Sequence, residues 1–275
     1  MHSSYKCSMR LEVVEISTVS HCTVRCSYCP QAVLSYSHKH DIPAMPFETF
    51  KTIADKIYPV CKYLDFSGFT EPFLNPQCVD MILYANTKGF NLRLFTTLAA
   101  VSLKNIKRLR GIPFGHFCIH IPTATMNITV DKSYIDKFKW VVQSFDHTFV
   151  LLDGPPHPRL IAEFPPLLNY RNNIKVSRAG NIGKGGLSFL SSHHSAGATL
   201  SCLRNSYNHP VLMPDGTAAL CCQDYGLRHI TGNLLHESLD DFFNNSEYKH
   251  IINGLSGKLR NEILCNSCEY AVPCE

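Results

Sequence analysis

Between Ser20 and Pro30 the chain reads SHCTVRCSYCP, which sets Cys22, Cys26 and Cys29 at the spacing C-x3-C-x2-C. Three thiolates on one short loop can hold three corners of a cubane iron–sulfur cluster and leave its fourth iron open for chemistry. A site with four thiolates would be closed and suited to electron transfer or scaffolding. The residues alone also allow a structural zinc site, which needs a fourth ligand and has His21 beside it, or a disulfide.

A second set of cysteines lies near the C-terminus. Cys221 follows Gly216 at the spacing G-x4-C, Cys202 precedes that glycine, and Cys265 and Cys268 form a C-x2-C pair. Four thiolates from these positions would complete a cluster with no open iron, or a zinc ribbon. Cys222 and Cys274 are spare candidates, since neighbours such as Cys221 and Cys222 do not readily bind one cluster together. Cys7, Cys61, Cys78 and Cys118 read as buried small residues.

The first trio must be held by regular elements. Leu11 to Thr18 is β-branched and reads as a strand running into the cysteine loop. Helical spacing over Pro46 to Tyr58 is followed by a strand at Tyr63 to Ser67, and a helix at Val79 to Lys88 closes on Gly89. Strands at Asn91 to Thr97, Phe117 to Ile121, Thr148 to Leu152 and Ile174 to Ser177 alternate with helices at Leu103 to Leu109 and Tyr134 to Phe145. A short irregular helix is expected around Leu160. This alternation predicts an α/β fold with a parallel sheet and outer helices. Six units are too few for a closed eightfold barrel, and the cysteine loop falls at the C-terminal end of the first strand, where such folds place their sites. Gly180 to Ser195 reads as a linker, Val211 to Cys222 as a hairpin turning at Pro214-Asp215-Gly216, and Leu239 to Ile252 as a helix.

Composition narrows the class. The chain has 275 residues, 13 cysteines, a net charge of +4 and 17% charged residues. No basic block marks a nucleic-acid surface; the run Lys104 to Arg110 reads as a solvated helix face. The N-terminus lacks an apolar signal stretch, and no run approaches a membrane span. Cysteines kept for metal in a reducing cytoplasm are the expectation.

With an aromatic before its third cysteine, the first motif resembles the signature loop of the radical S-adenosylmethionine (SAM) enzymes. The resemblance implies a partial (β/α)6 barrel with a small C-terminal α+β hairpin-helix domain. It also implies a [4Fe-4S] cluster on Cys22, Cys26 and Cys29, with SAM on the open iron and a 5′-deoxyadenosyl radical that abstracts hydrogen from substrate. Tyr28 would lie near the adenine. Phe66 to Pro72 partly resembles the family's glycine-rich motif for the SAM amino group, which points to Gly68, Thr70 and Glu71. By family position Thr96, Thr97 and His120 would meet the SAM ribose or carboxylate, and Arg178, in SRAGN, would bind SAM or substrate. Glu15 and Asp65 face either the barrel interior or the sheet edge.

The second cysteine set resembles the SPASM/twitch extension, in the shorter form with one auxiliary [4Fe-4S] cluster on Cys202, Cys221, Cys265 and Cys268. The implied organisation is a core over 1–185, a linker over 186–201 and an auxiliary domain over 202–275. In layout the chain resembles the twitch-type 2-deoxy-scyllo-inosamine dehydrogenases. That implies two-electron oxidation of a small sugar or aminocyclitol, with the electron passing to the auxiliary cluster and a flavodoxin or ferredoxin as reductant; no nucleic-acid or membrane partner is expected. A peptide-modifying radical SAM enzyme, an epimerase using a thiol such as Cys118 as hydrogen donor, and a non-catalytic iron–sulfur or zinc protein are the alternatives.

Overall fold

The structure is a computed structural model that describes residues 11–26, 29–38, 42–146, 148–151, 155–165, 194–195, 197–203, 209–258, 263–268 and 270–274. Tyr28, Arg178, the expected strand at Ile174 to Ser177 and most of the expected linker lie outside these residues.

Five strands alternate with helices along the chain: β1 (Leu11–Ile16), α1 (Gln31–Ser37), α2 (Phe47–Ile57), β2 (Cys61–Phe66), α3 (Cys78–Lys88), β3 (Asn91–Thr96), α4 (Leu103–Lys107), β4 (His116–His120), α5 (Lys132–Ser144), β5 (Thr148–Leu151) and α6 (Pro158–Glu163). Local chemistry sets the ends. Asp131 and Ser102 accept backbone N–H bonds at the starts of α5 and α4, and Gly89 at φ 88° closes α3. Phe50, Ile53, Ala54 and Ile57 place one face of α2 in the core. Burial of large side chains of this kind is worth roughly 1.5–3 kcal/mol each. The α1 helix directly after the cysteine loop has no forecast in the pattern above, because only Leu34 of its residues is buried and no apolar period marks it.

The C-terminal part supplies β6 (Leu200–Cys202), β7 (Val211–Leu212), β8 (Thr217–Ala219), β9 (Ile230–Asn233), α7 (Leu239–Asn244), α8 (Ser246–Leu255) and β10 (Ala271–Pro273). Its hairpin does not stand apart from the core. One sheet has the order β5-β4-β3-β2-β1-β7-β8-β9. It is parallel from β5 to β7, and β7–β8–β9 are antiparallel. Glu15 pairs with Val211 and Ile16 with Leu212, so the hairpin expected to belong to a separate domain extends the edge of β1. The single helix expected over Leu239 to Ile252 is two. Asn245 breaks it, accepting from Tyr248 N at 2.7 Å while donating to Phe242 O and to Thr231 O. An Asn with so many local partners holds the backbone out of the helix and caps the next one.

Candidate functional site

The C-terminal ends of the strands surround a cavity of about 440 Å³. Cys22, Cys26 and Cys29 line it together, as do Gly68, Thr70, Glu71, Thr97 and His120.

The cysteine loop is shaped by its own backbone and by one glutamine. Arg25 sits at φ 57°, an uncommon left-handed turn for a bulky residue, and Cys29 N donates to Cys26 O at 3.1 Å. Gln31, the first residue of α1, ties the loop down. Its Oε1 accepts from Cys22 N at 3.3 Å, and its Nε2 donates to Phe69 O at 2.5 Å and to Cys29 Sγ at 3.4 Å. Cys29 Sγ also lies 3.5 Å from the Tyr225 hydroxyl. Tyr225 packs on Phe69 with ring centroids 4.6 Å apart, inside an apolar shell with Leu34, Val211 and Met213. Gln31 and Tyr225 carry no metal-ligand signal in the sequence; only the position of Gln31, two residues after Cys29, hints at a role.

Glycine is required at position 68. With φ at 65°, an added Cβ would fall 2.3 Å from Ser17 Oγ, and that hydroxyl accepts from Phe69 N at 2.8 Å. The turn after β2 is thereby locked to the end of β1. Glu71, expected to offer its carboxylate to a ligand, has both oxygens engaged inside the protein. Thr96 Oγ1 donates to Oε1 at 2.6 Å, and Thr97 N and Oγ1 donate to Oε2 at 2.6 and 2.7 Å. The group is buried, and burial raises its carboxyl above the usual range against those donors. Glu71 therefore braces the end of β2 against the end of β3. Thr70 Oγ1 donates to Val19 O at 3.2 Å.

Below this rim runs a charged row. Glu15, Asp65 and Arg93 are consecutive in register across β1, β2 and β3 and all line the cavity, which settles the direction in which Glu15 and Asp65 face. Arg93 grips Asp65 with both arms, Nε to Oδ1 at 2.6 Å and a terminal nitrogen to Oδ2 at 2.7 Å. Burial pushes the Asp65 carboxyl up to about 7 against the pull of Arg93, and the charge of Glu15 adds to the rise.

The four C-terminal cysteines come together at a second site. Cys202, Cys221, Cys265 and Cys268 line one small cavity of about 20 Å³, with Leu220, Leu255, Leu264 and Tyr270. Burial pushes the Cys265 thiol up to about 12, and the nearness of Cys268 and Cys202 adds to the rise. Cys202 lies on β6, which pairs with β10, Cys221 follows β8, and Cys265 and Cys268 sit on a tight 3-10 turn. That turn is fastened by His229, whose Nε2 accepts from Leu264 N at 3.0 Å while Nδ1 donates to Glu247 Oε1 at 2.5 Å, the neutral tautomer assigned from its partners. Asn266 fastens it from the other side, accepting from Ile263 N at 2.8 Å and donating to the carbonyls of His194 and Ser195.

The spare cysteines divide. Cys274 is exposed. Cys222 is buried and lines the barrel cavity, while its neighbour Cys221 lines the second one. Cys221 opens a turn closed by Asp224 N on Cys221 O at 2.9 Å, and the Cys221–Cys222 peptide forms a wall common to both sites. Cys118, considered above as a thiol near substrate, is buried on β4 and is not among the cavity residues.

Both donor sets fit iron–sulfur ligation: three sulfurs facing an open cavity in one case, four facing a closed one in the other. A zinc ion would draw its thiolates to about 2.3 Å, and no three His, Cys, Asp or Glu side chains among the described residues gather into a single-ion site. No helix among them is long and apolar enough to cross a membrane.

The fold, a mostly parallel α/β sheet with a C-terminal cysteine site, is shared with solved proteins that bind AdoMet. Residues 202–269 match the SPASM family, an iron-sulfur cluster-binding domain, and this span contains all four cysteines of the second site. Over nearly its whole length the chain superposes on BtrN in complex with AdoMet and 2-DOIA, with a TM-score of 0.61 at 14% identity, covering 95% of this chain and 98% of that one. It likewise matches Streptococcus suis SuiB bound to S-adenosylmethionine (TM-score 0.58, 14% identity, 95% and 69% covered). The third match is native anSMEcpe with bound AdoMet and Cp18Cys peptide (0.53, 14%, 94% and 86%). No curated protein sequence matches the chain.

Proposed function

We propose that this protein is a radical SAM enzyme that oxidises a small sugar-like or aminocyclitol-like molecule by two electrons. In this reading Cys22, Cys26 and Cys29 hold a [4Fe-4S] cluster, SAM lies in the barrel cavity, and Cys202, Cys221, Cys265 and Cys268 hold an auxiliary [4Fe-4S] cluster. When bound, these groups supply one-electron cleavage of SAM, hydrogen-atom abstraction and an acceptor for the electron that substrate oxidation releases. The observation that carries the reading is the placement of Cys221 and Cys222, one on each cavity. It leaves a single peptide unit between the place for substrate and the place for an electron acceptor.

The chain's own part is to position and to shield. Gln31 fixes the cysteine loop through contacts on both flanking cysteines. Glu71 holds the ends of β2 and β3 at one level, which keeps Thr97 and Gly68 at the cavity wall. Phe69 and Tyr225 pack together behind Cys29, and the Tyr225 hydroxyl lies beside its sulfur. His120 lines the same cavity and is available for hydrogen bonding to SAM or substrate. Tyr28 and Arg178 keep the adenine and SAM-or-substrate roles given by the family resemblance, and a flavodoxin or ferredoxin is the fitting reductant. The near-complete two-way coverage with BtrN supports a small substrate.

The test is anaerobic reconstitution followed by incubation with SAM and dithionite. Release of 5′-deoxyadenosine is expected, with iron and sulfide near the eight of each that two cubanes contain; no 5′-deoxyadenosine would remove the enzyme reading. The buried Cys222 in the barrel cavity favours one second reading, epimerisation with Cys222 returning hydrogen to substrate. In D2O an epimerase product gains a carbon-bound deuterium that Cys222→Ala abolishes, whereas a ketone product gains none at that carbon.

A further inference from the structure

One turn of the C-terminal region touches both cysteine sites. It begins at Cys221, which lines the small closed cavity, and ends at Tyr225, which lines the barrel cavity. Asp224 N donates to Cys221 O at 2.9 Å, and Leu227 N donates to Asp224 O at 3.0 Å. The Asp224 carboxylate is buried and accepts from Arg228 N and His229 N, each at 2.9 Å. A carboxylate bonded to nearby backbone in this way fixes the turn, so the residue after it has a rigid base. That residue is Tyr225. It is 1% exposed, and its ring packs on Phe69 in an apolar shell. Phenylalanine would fill this shell as well, and a hydroxyl brought into it has a cost unless it is bonded. The hydroxyl lies 3.5 Å from Cys29 Sγ, across 196 positions of sequence.

We infer that Tyr225 tunes the barrel-site cluster: its hydroxyl donates to the Cys29 thiolate and raises the cluster's reduction potential. The inference rests on the ligation proposed above for Cys22, Cys26 and Cys29. A cysteine that ligates metal has lost its proton, so at this contact only the hydroxyl can donate. One electron from the reductant adds one negative charge, which the thiolate sulfurs share. A donor aimed at one of them stabilises the reduced form more than the oxidised form, and the potential rises. Gln31 Nε2, at 3.4 Å, acts on the same sulfur in the same sense. Gln31 also holds the loop through Cys22 N and Phe69 O, so its replacement would disturb the loop together with the potential. Tyr225→Phe removes the hydroxyl and keeps the ring on Phe69. The bond makes the first electron easier for the proposed flavodoxin or ferredoxin to deliver.

The test is a redox titration of the reconstituted protein without SAM, followed by electron paramagnetic resonance. The barrel-site signal is the one that changes when SAM is then added, and the auxiliary signal serves as internal reference. Tyr225→Phe is expected to lower the barrel-site equilibrium constant for reduction about tenfold, a midpoint shift of about 59 mV for one electron, and to leave the reference in place. Incorporation of 3-fluorotyrosine at position 225 makes the hydroxyl a stronger donor of nearly the same shape and should raise the same constant about threefold. An unchanged midpoint in Tyr225→Phe, or equal shifts of both signals, would overturn the inference and leave Tyr225 as packing alone. Should Tyr225→Phe fail to retain its iron, the fluorinated protein decides, and an unmoved or lowered midpoint there overturns the inference. Absence of any SAM-sensitive signal in the wild-type protein would instead remove the ligation beneath it, so the two failures can be told apart.

Discussion

Cys22, Cys26 and Cys29 reach their cavity from one loop, whereas Cys202, Cys221, Cys265 and Cys268 come from a strand, a hairpin end and a 3-10 turn spread over a quarter of the chain. The first cavity is wide and polar at its floor. The second is small and walled by leucines and a tyrosine. A loop can present three sulfurs and leave room for another molecule; a site assembled from four directions closes on itself. In the proposed reading, the fourth corner that the first site would leave open is the difference between a place for reaction and a place for an electron.

The largest effect that would break this contrast comes from the loop. Replacing Cys22, Cys26 and Cys29 together by Ala should abolish 5′-deoxyadenosine formation and lower iron from about eight to about four per chain, as read by iron assay. Retained SAM cleavage would show that the open site lies elsewhere. Cys265→Ala with Cys268→Ala should act in the opposite sense. Iron again falls to about four, SAM cleavage persists, and product is lost. Full product formation by this double variant would remove the electron-relay role.

The contrast also explains what the sequence disclosed. The first trio is contiguous, so its spacing alone carries the geometry, and the strand before it fixes its rim. The alternation of elements likewise disclosed the parallel sheet, because buried strands and amphipathic helices have different periods. What stayed hidden depends on contacts between distant residues. That β7 extends the edge of β1 follows from pairing Glu15 with Val211, which no local pattern encodes. Glu71 reads as a ligand acceptor in the sequence, and only the fold shows that Thr96 and Thr97 also donate to both its oxygens. The break at Asn245 depends on Thr231, a residue of β9. Cys221 and Cys222 look redundant in sequence, and only the fold shows that they serve two cavities.

His229 sharpens the comparison at a lower level of effect. It positions the turn carrying Cys265 and Cys268, yet touches nothing in the barrel cavity. His229→Ala would leave the buried Leu264 N–H without its acceptor, a cost of about 1–3 kcal/mol. The auxiliary site alone should lose iron, seen as a selective loss of its electron paramagnetic resonance signal with SAM cleavage intact. His229→Gln, which can still accept at that place, should restore part of the signal. Loss of both signals together would mean that the two sites are not built independently.

The smallest effect concerns the joint between the regions. Lys56 on α2 donates from Nζ to Leu234 O and Glu237 O, each at 2.7 Å, and to Leu235 O at 3.4 Å. It thus pins the loop after β9 to the core, without belonging to either cysteine site. Lys56→Met keeps the aliphatic stem and removes the donors, so the carbonyls of buried Leu234 and half-buried Glu237 lose a charged partner. A loss of roughly 1–2 kcal/mol is expected in chemical denaturation, with iron content and SAM cleavage unchanged. Because β7 already joins the hairpin to β1, the sheet should carry the connection when the lysine strap is gone. A drop in auxiliary iron in this variant would instead show that the strap, and not the shared sheet, holds the second site in place.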